Sequence, residues 1–247
     1  MRKKILAANW KMNLTQPEVN AWLETFHAFD WHSTKAEIRI YPSALYLKQI
    51  AKELEHAGAQ NVFHEAAGAY TGEISIEQLQ NINVRSALIG HSERRQIFQE
   101  DNAQITLKVQ ACAQAAFPFI LCCGEPLSIR EARAQQDYVI GQLRANLQNL
   151  NAEQLNLLVV AYEPIWAIGS GASASLAQIS EMHRAIRQFL VEQFDDAGEA
   201  VPILYGGSVS TDNARTIFSC PVVDGALVGG AALDAHTFYQ LWQALNA

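Results

Sequence analysis

Apolar residues along this 247-residue chain come in short bursts separated by amphipathic stretches. The bursts fall at 5–8, 38–41, 61–64, 87–90, 118–123, 157–162, 203–206 and 225–229, each of strand length. In the sixth, Leu157-Leu158-Val159-Val160-Ala161 shows no polar alternation, as in a parallel strand covered on both faces. The segments 17–29, 44–56, 76–82, 103–116, 129–150, 176–194, 211–218 and 235–245 mostly carry helical spacing. The pattern predicts eight βα units.

Eight such units fit a closed (β/α)8 barrel, eight parallel strands ringed by helices, better than a doubly wound sheet, which usually has fewer strands. No G-x-G-x-x-G follows the first strand. The glycine pairs Gly206-Gly207 and Gly229-Gly230 instead follow the seventh and eighth strands, where barrels commonly hold phosphate. No linker-like or low-complexity tract divides the chain, so one barrel domain over residues 1–247 is expected.

Charge narrows the partners. With 25 acidic against 18 basic residues the net charge is -7, which argues against a nucleic-acid surface. An anionic ligand would have to be held locally, by backbone amides and a single lysine. Cys122 and Cys123 are adjacent on a strand and point to opposite faces, and Cys112 and Cys220 complete no disulfide framework or metal spacing. The apolar segment near the N-terminus is too short for a secretory signal, and no run reaches membrane-spanning length. A reduced, cytoplasmic compartment is expected, with no membrane partner.

Read from the carboxyl ends of the strands, Asn9, Lys11, His91, Glu163 and Ser208 converge on one mouth. A lone glutamate or lysine is ordinarily a solvated side chain. Glu163, however, ends an apolar run and opens Pro164-Ile165-Trp166-Ala167-Ile168-Gly169-Ser170: a stiff entry, a bulky anchor and a permissive tip. That composition suits a lid over a base. His91 stands where a strand runs into a helix start, with Ser92 suited to cap and Glu93 to the first turn. The positive helix end disfavours protonation, so a neutral, donating His91 is expected.

Asn9-Trp10-Lys11, Gly90-His91-Ser92-Glu93-Arg94-Arg95, the Glu163 segment, Tyr205-Gly206-Gly207-Ser208-Val209 and Leu227-Val228-Gly229-Gly230-Ala231 together resemble the triosephosphate isomerase family. Two further strings, Gly68-Ala69-Tyr70-Thr71-Gly72-Glu73 and Cys122-Cys123-Gly124-Glu125, agree. The resemblance runs from the first strand to the last. It implies a TIM barrel interconverting dihydroxyacetone phosphate and glyceraldehyde 3-phosphate through an enediolate, in glycolysis and gluconeogenesis, with no metal or organic cofactor. Glu163 would shuttle the proton, His91 polarise the carbonyl, and Lys11 favour the anionic intermediate. Asn9, Gly169, Ser208, Gly229 and Gly230 would join Lys11 in holding substrate, and Ser92, Glu93 and Cys122 would support the site. A homodimer is implied, with Thr71 near the neighbour's Asn9 and Lys11. Ser170 and Ala172 depart from the family's usual threonine and frequent lysine in the lid.

Two other readings stand beside this one. A catalytically silent sugar-phosphate-binding barrel would be marked by loss of Lys11, His91 or Glu163, and all three are present. An aldolase-like barrel would want a strand lysine for a Schiff base, and the apolar bursts contain none.

Overall fold

The computed structural model describes residues 2–33, 36–168 and 173–247. Eight parallel strands stand in it: β1 (Lys4–Asn9), β2 (Ala36–Tyr41), β3 (Gly58–Ala59), β4 (Ser86–Ile89), β5 (Phe119–Cys123), β6 (Leu158–Tyr162), β7 (Ile203–Tyr205) and β8 (Gly225–Val228). Their spatial order is β2-β1-β8-β7-β6-β5-β4-β3. The ring closes where Ile40 bridges Ala57, with the Ile40 N–H donating to the His56 carbonyl at 3.2 Å. Helices alternate with the strands, giving the expected (β/α)8 barrel.

Strand alternation sorts the apolar side chains into two cores. Ile5, Ala7, Leu88, Ile120, Cys122, Val159, Ala161, Leu204 and Leu227, with Tyr41, fill the inside of the barrel. Their neighbours Leu6, Ala8, Ile89, Leu121, Cys123 and Val160 face the helices in a much larger cluster. Cys122 and Cys123 do point to opposite faces. Asn9 and Glu163 continue the inward series of β1 and β6 past their last apolar members, which aims both at the carboxyl-end mouth.

Where the structure departs from the pattern, local chemistry explains it. The third strand is not at 61–64 but at Gly58–Ala59. A Cβ on Gly58 would lie 2.2 Å from the Tyr41 ring, so the glycine makes room for a buried tyrosine, and glycine and alanine leave no strand-like signal. The stretch 129–150 is two helices, α6 (Leu127–Glu131) and α7 (Gln135–Leu147), parted near Arg133 at φ 57°. The helix from Leu176 runs on to Ala200 with a break at Asp195 (φ 50°, ψ -134°). β1 begins at Lys4, so one strand does contain a lysine; it sits at the opposite end from the mouth, on the outward face, donating to the Leu245 carbonyl. Helix starts are set by reciprocal caps such as Ser75 with Gln78, Asp101 with Gln104 and Ser175 with Gln178.

One buried histidine gives the fold a pH dependence. His183, on the helix from Leu176 to Ala200, contacts the Val222 carbonyl through Nδ1 at 3.0 Å. A carbonyl only accepts, so the proton is on Nδ1, and buried Nε2 has no partner. Burial therefore pushes the imidazole down to about 4. The unfolded chain, with an ordinary imidazole near 6.5, binds the extra proton first. Stability should thus fall as pH drops from 6.5 towards 4, by up to roughly 3 kcal/mol from this residue. Urea midpoints across that window should decline more steeply for the native chain than for His183→Gln; equal slopes would remove the histidine from the account.

Candidate active site

The backbone at Glu163 is clamped from both sides. Its N–H donates to the Cys123 carbonyl at 2.7 Å, and the Gly206 N–H donates to the Tyr162 carbonyl at 2.7 Å. Gly206 must be a glycine here, because a Cβ would sit 2.8 Å from Glu163 Cγ. The Glu163 side chain is only 2% exposed, and both carboxylate oxygens are occupied. Oε1 lies 2.9 Å from His91 Nε2, and Oε2 accepts the Ser92 N–H at 2.9 Å.

His91 ends the turn from β4 into α4 (Ser92–Gln96). The sequence suggests Ser92 as the cap, but the structure gives that role to His91. Its Nδ1 accepts the Glu93 N–H at 3.2 Å, while Ser92 is the first helical residue. The cap fixes the tautomer: Nδ1 accepts, so the ring proton is on Nε2, facing Glu163. Burial disfavours the imidazolium, yet the adjacent Glu163 carboxylate outweighs it and raises the ring's proton affinity above its ordinary value. That corrects the expectation of disfavoured protonation, which considered the helix start without the carboxylate. In the other direction, burial raises the Glu163 carboxyl but His91, the Ser92 N–H and Lys11 together hold it below the usual carboxylate range. Paired in this way, Glu163 is a weak base.

Lys11 adopts a left-handed backbone (φ 53°) that an alanine-like residue would resist. Two side chains hold it there. Asn9 Oδ1 accepts the Lys11 N–H at 3.0 Å, and Gln60 Nε2 donates to the Lys11 carbonyl at 2.8 Å and to the Tyr41 carbonyl at 3.0 Å. The ammonium meets Glu93 Oε1 at 2.6 Å. Lys11, His91, Glu163, Ile168 and the glycine loops through Gly206–Ser208 and Gly229–Gly230 line one cavity of about 240 Å³. Lys11 is the sole lysine or arginine among its described lining residues. Gly229 faces the Lys11 stem, and Gly230 opens a 3₁₀ turn (Gly230–Leu233).

The structure thus brings together Asn9, Lys11, His91, Ser92, Glu93, Glu163, Ser208, Gly229 and Gly230. Cys122 lies inside the barrel behind them; burial and the nearby Glu163 carboxylate push its thiol well up, so it is a packed thiol rather than a nucleophile. Thr71 is apart, on an exposed loop. Of the segment expected to form a lid, Pro164 to Ile168 are described and Gly169, Ser170 and Ala172 lie outside the described residues. Among described residues, no group of three or more His, Cys, Asp or Glu is placed to hold a metal ion.

Two contributors carry no clear sequence signal. Gln60 is a polar residue beside the misplaced third strand, and only its carbonyl partners reveal its part. Glu125 is fully buried and accepts from Tyr162 Oη at 3.0 Å and Trp166 Nε1 at 2.9 Å, pinning the turn that follows Glu163 (Ile165–Ala167) to the barrel. Its string was visible in the sequence, but its role depends on Trp166 arriving from the next loop.

A model of the triosephosphate isomerase family matches residues 4–245. The chain is 40% identical to the triosephosphate isomerase of Amoebophilus asiaticus over 99% of this chain and 100% of that one. It is 40% identical to that of Lactobacillus acidophilus over 97% of both chains, and 38% identical to that of Colwellia psychrerythraea over 96% and 95%. Glu163, His91, Lys11 and two glycine loops line one cavity, a full-length likeness accompanies them, and the chain belongs to the triosephosphate isomerase family.

Proposed function

We propose that this chain, as a single barrel domain, interconverts dihydroxyacetone phosphate and D-glyceraldehyde 3-phosphate by moving a proton between neighbouring carbons through an enediolate. The observation that carries the reading is the His91–Glu163 contact of 2.9 Å inside a cavity that also holds Lys11. Removing a proton beside a carbonyl needs a base within about 3 Å and a donor at the developing oxyanion. Glu163 is the base and His91 Nε2–H the donor.

One N–H cannot serve both the carboxylate and the substrate oxygen, so the pair parts as substrate enters. Nε2–H then turns to the carbonyl. Glu163, released from the donors that hold its proton affinity down, becomes a stronger base. Lys11 offsets the charge of the enediolate and the phosphate, while main-chain amides at Ser208, Gly229 and Gly230 receive the phosphate. Closing the segment after Glu163 excludes water, which strengthens the base further and keeps the enediolate from shedding phosphate. The scheme calls for no metal or organic cofactor. A coupled assay that follows glyceraldehyde 3-phosphate formed from dihydroxyacetone phosphate tests it; a folded chain without turnover would leave only a sugar-phosphate-binding barrel.

The working unit in this reading is a homodimer. Met12 is 95% and Phe98 65% exposed, and both line a groove that continues from Lys11 and Asn9 past Ala44 and Glu93. Leu45, Tyr70 and Ile97 add further exposed apolar surface. A second copy, inserting the loop that bears Thr71, would cover the groove and brace Lys11. Light scattering should give twice the chain's mass, and Thr71→Arg should shift it towards the monomer with lower activity. A fully active monomer would contradict this assembly. The same reading makes the protein a cytoplasmic enzyme of glycolysis and gluconeogenesis, and four buried free cysteines fit a reducing compartment. No helix of the described residues is long and apolar enough to cross a membrane.

A further inference from the structure

Arg95 belongs to the string that carries His91, yet it has no part in the chemistry above. Its guanidinium is committed on two sides. Towards the barrel, Nε donates to the Gly90 carbonyl at 2.8 Å and Nη2 to the Cys122 carbonyl at 3.1 Å. Away from it, Nη1 donates to Asn102 Oδ1 at 2.8 Å, and Nη2 lies 3.4 Å from Asn146 Oδ1. Asn146, itself buried, donates through Nδ2 to the Asn102 carbonyl and to Thr106 Oγ1, both at 3.1 Å. The fork is therefore anchored from α5 (Asn102–Gln114) and α7 while it grips the sheet.

What it grips is the place where the sheet stops. β4 pairs with β5 only as far as Ile89 opposite Leu121, whereas β5 stays paired with β6 to Cys123 opposite Tyr162. Gly90 and Cys122 would be the next pair in the β4–β5 register. Gly90 leaves the ladder through a left-handed φ of 68°, and a Cβ there would come within 3.0 Å of both Arg95 Nη2 and Ile105 Cδ1. The guanidinium holds the Gly90 and Cys122 carbonyls together where backbone hydrogen bonds have ended. His91 is the residue after Gly90, and Glu163 follows the last residue of the strand paired with β5.

We infer that Arg95 is a positioning residue for the isomerisation, a side-chain extension of the β4–β5 ladder that sets the spacing between His91 and Glu163. The inference rests on the isomerase reading. The task needs a planar fork: a lysine ammonium at the same position cannot span two carbonyls and an amide with fixed geometry. Misplacing a reacting group by about 1 Å is enough to cost roughly a hundredfold in rate.

Arg95→Lys in the full chain tests it, assayed beside the unaltered protein. An unaltered protein without turnover would sink the isomerase reading itself, separately from this one. With activity present, the folded variant should lose at least about tenfold in kcat with KM kept within about threefold. The His91 Nε2 proton resonance should also move or broaden. Near-unchanged kcat with an unmoved resonance, or a loss confined to the urea midpoint, would overturn the inference and leave Arg95 as a brace of the helices. Should Arg95→Lys fail to fold, Asn102→Ala loosens the fork from behind without touching the mouth. A kcat reduced about threefold or more at constant KM is then expected, and an unchanged kcat overturns the inference.

Discussion

Glu163→Asp should lower kcat by roughly 10²–10³-fold while leaving KM within a few-fold. The carboxylate is aimed by a clamped backbone and by two short contacts, to His91 Nε2 and to the Ser92 N–H, each at 2.9 Å. Removing one methylene withdraws the carboxylate by more than 1 Å, and the clamp at Cys123 and Gly206 prevents the backbone from following. Proton transfer depends steeply on that distance, whereas the phosphate contacts proposed for Lys11 and the glycine loops are untouched. Steady-state rates over a range of substrate concentrations separate the two constants. A variant turning over like the native protein would show that Glu163 is not the base.

Lys11→Met should be the more damaging change, with kcat/KM lower by roughly 10³-fold and KM raised. The chain carries a net charge of -7, and Lys11 is the one lysine or arginine among the described residues lining the cavity. A phosphorylated substrate would then meet Glu163 and the now unpaired Glu93 with no compensating cation. Glu93 Oε2 already lies 3.6 Å from His91 Nδ1. Without Lys11, its charge would favour a second proton on the imidazole, converting the neutral donor into a cation. The effect should therefore appear in kcat as well as KM, and the pH dependence of kcat should shift upward where His91 titrates. A kcat/KM within tenfold of the native value would assign phosphate binding and charge stabilisation elsewhere.

The parts of this fold visible in sequence are those written in apolar residues. β5 and β6 are unbroken apolar runs, and their ends fell within a residue of expectation. β3 escaped because Gly58 and Ala59 carry no side chain that reports burial; the informative residue was Tyr41 on the neighbouring strand, filling the space Gly58 leaves. Site residues were legible because strand ends converge by topology, which places Lys11, His91 and Glu163 at one mouth from the strand pattern alone. Their protonation was not. The state of His91 depends on Glu163, 72 residues later in the chain, and on a cap made by its own ring rather than by Ser92. The roles of Gln60, Glu125 and Arg95 were hidden for the same reason: each acts by hydrogen-bonding main-chain or side-chain groups of other elements, and no spacing in one sequence encodes such a meeting.

The central claim is that Glu163 removes a proton from a carbon of the substrate and returns it to the neighbouring one. Isomerisation of dihydroxyacetone phosphate in D2O, with product trapped as it forms and analysed by mass spectrometry, tests that claim most directly. A proton resting on a carboxylate exchanges with solvent, so a fraction of the glyceraldehyde 3-phosphate should carry one deuterium on carbon, and Glu163→Gln should form almost no product. Product formed without deuterium, and at full rate in Glu163→Gln as well, would mean that hydrogen moves directly between the carbons, and would contradict the account.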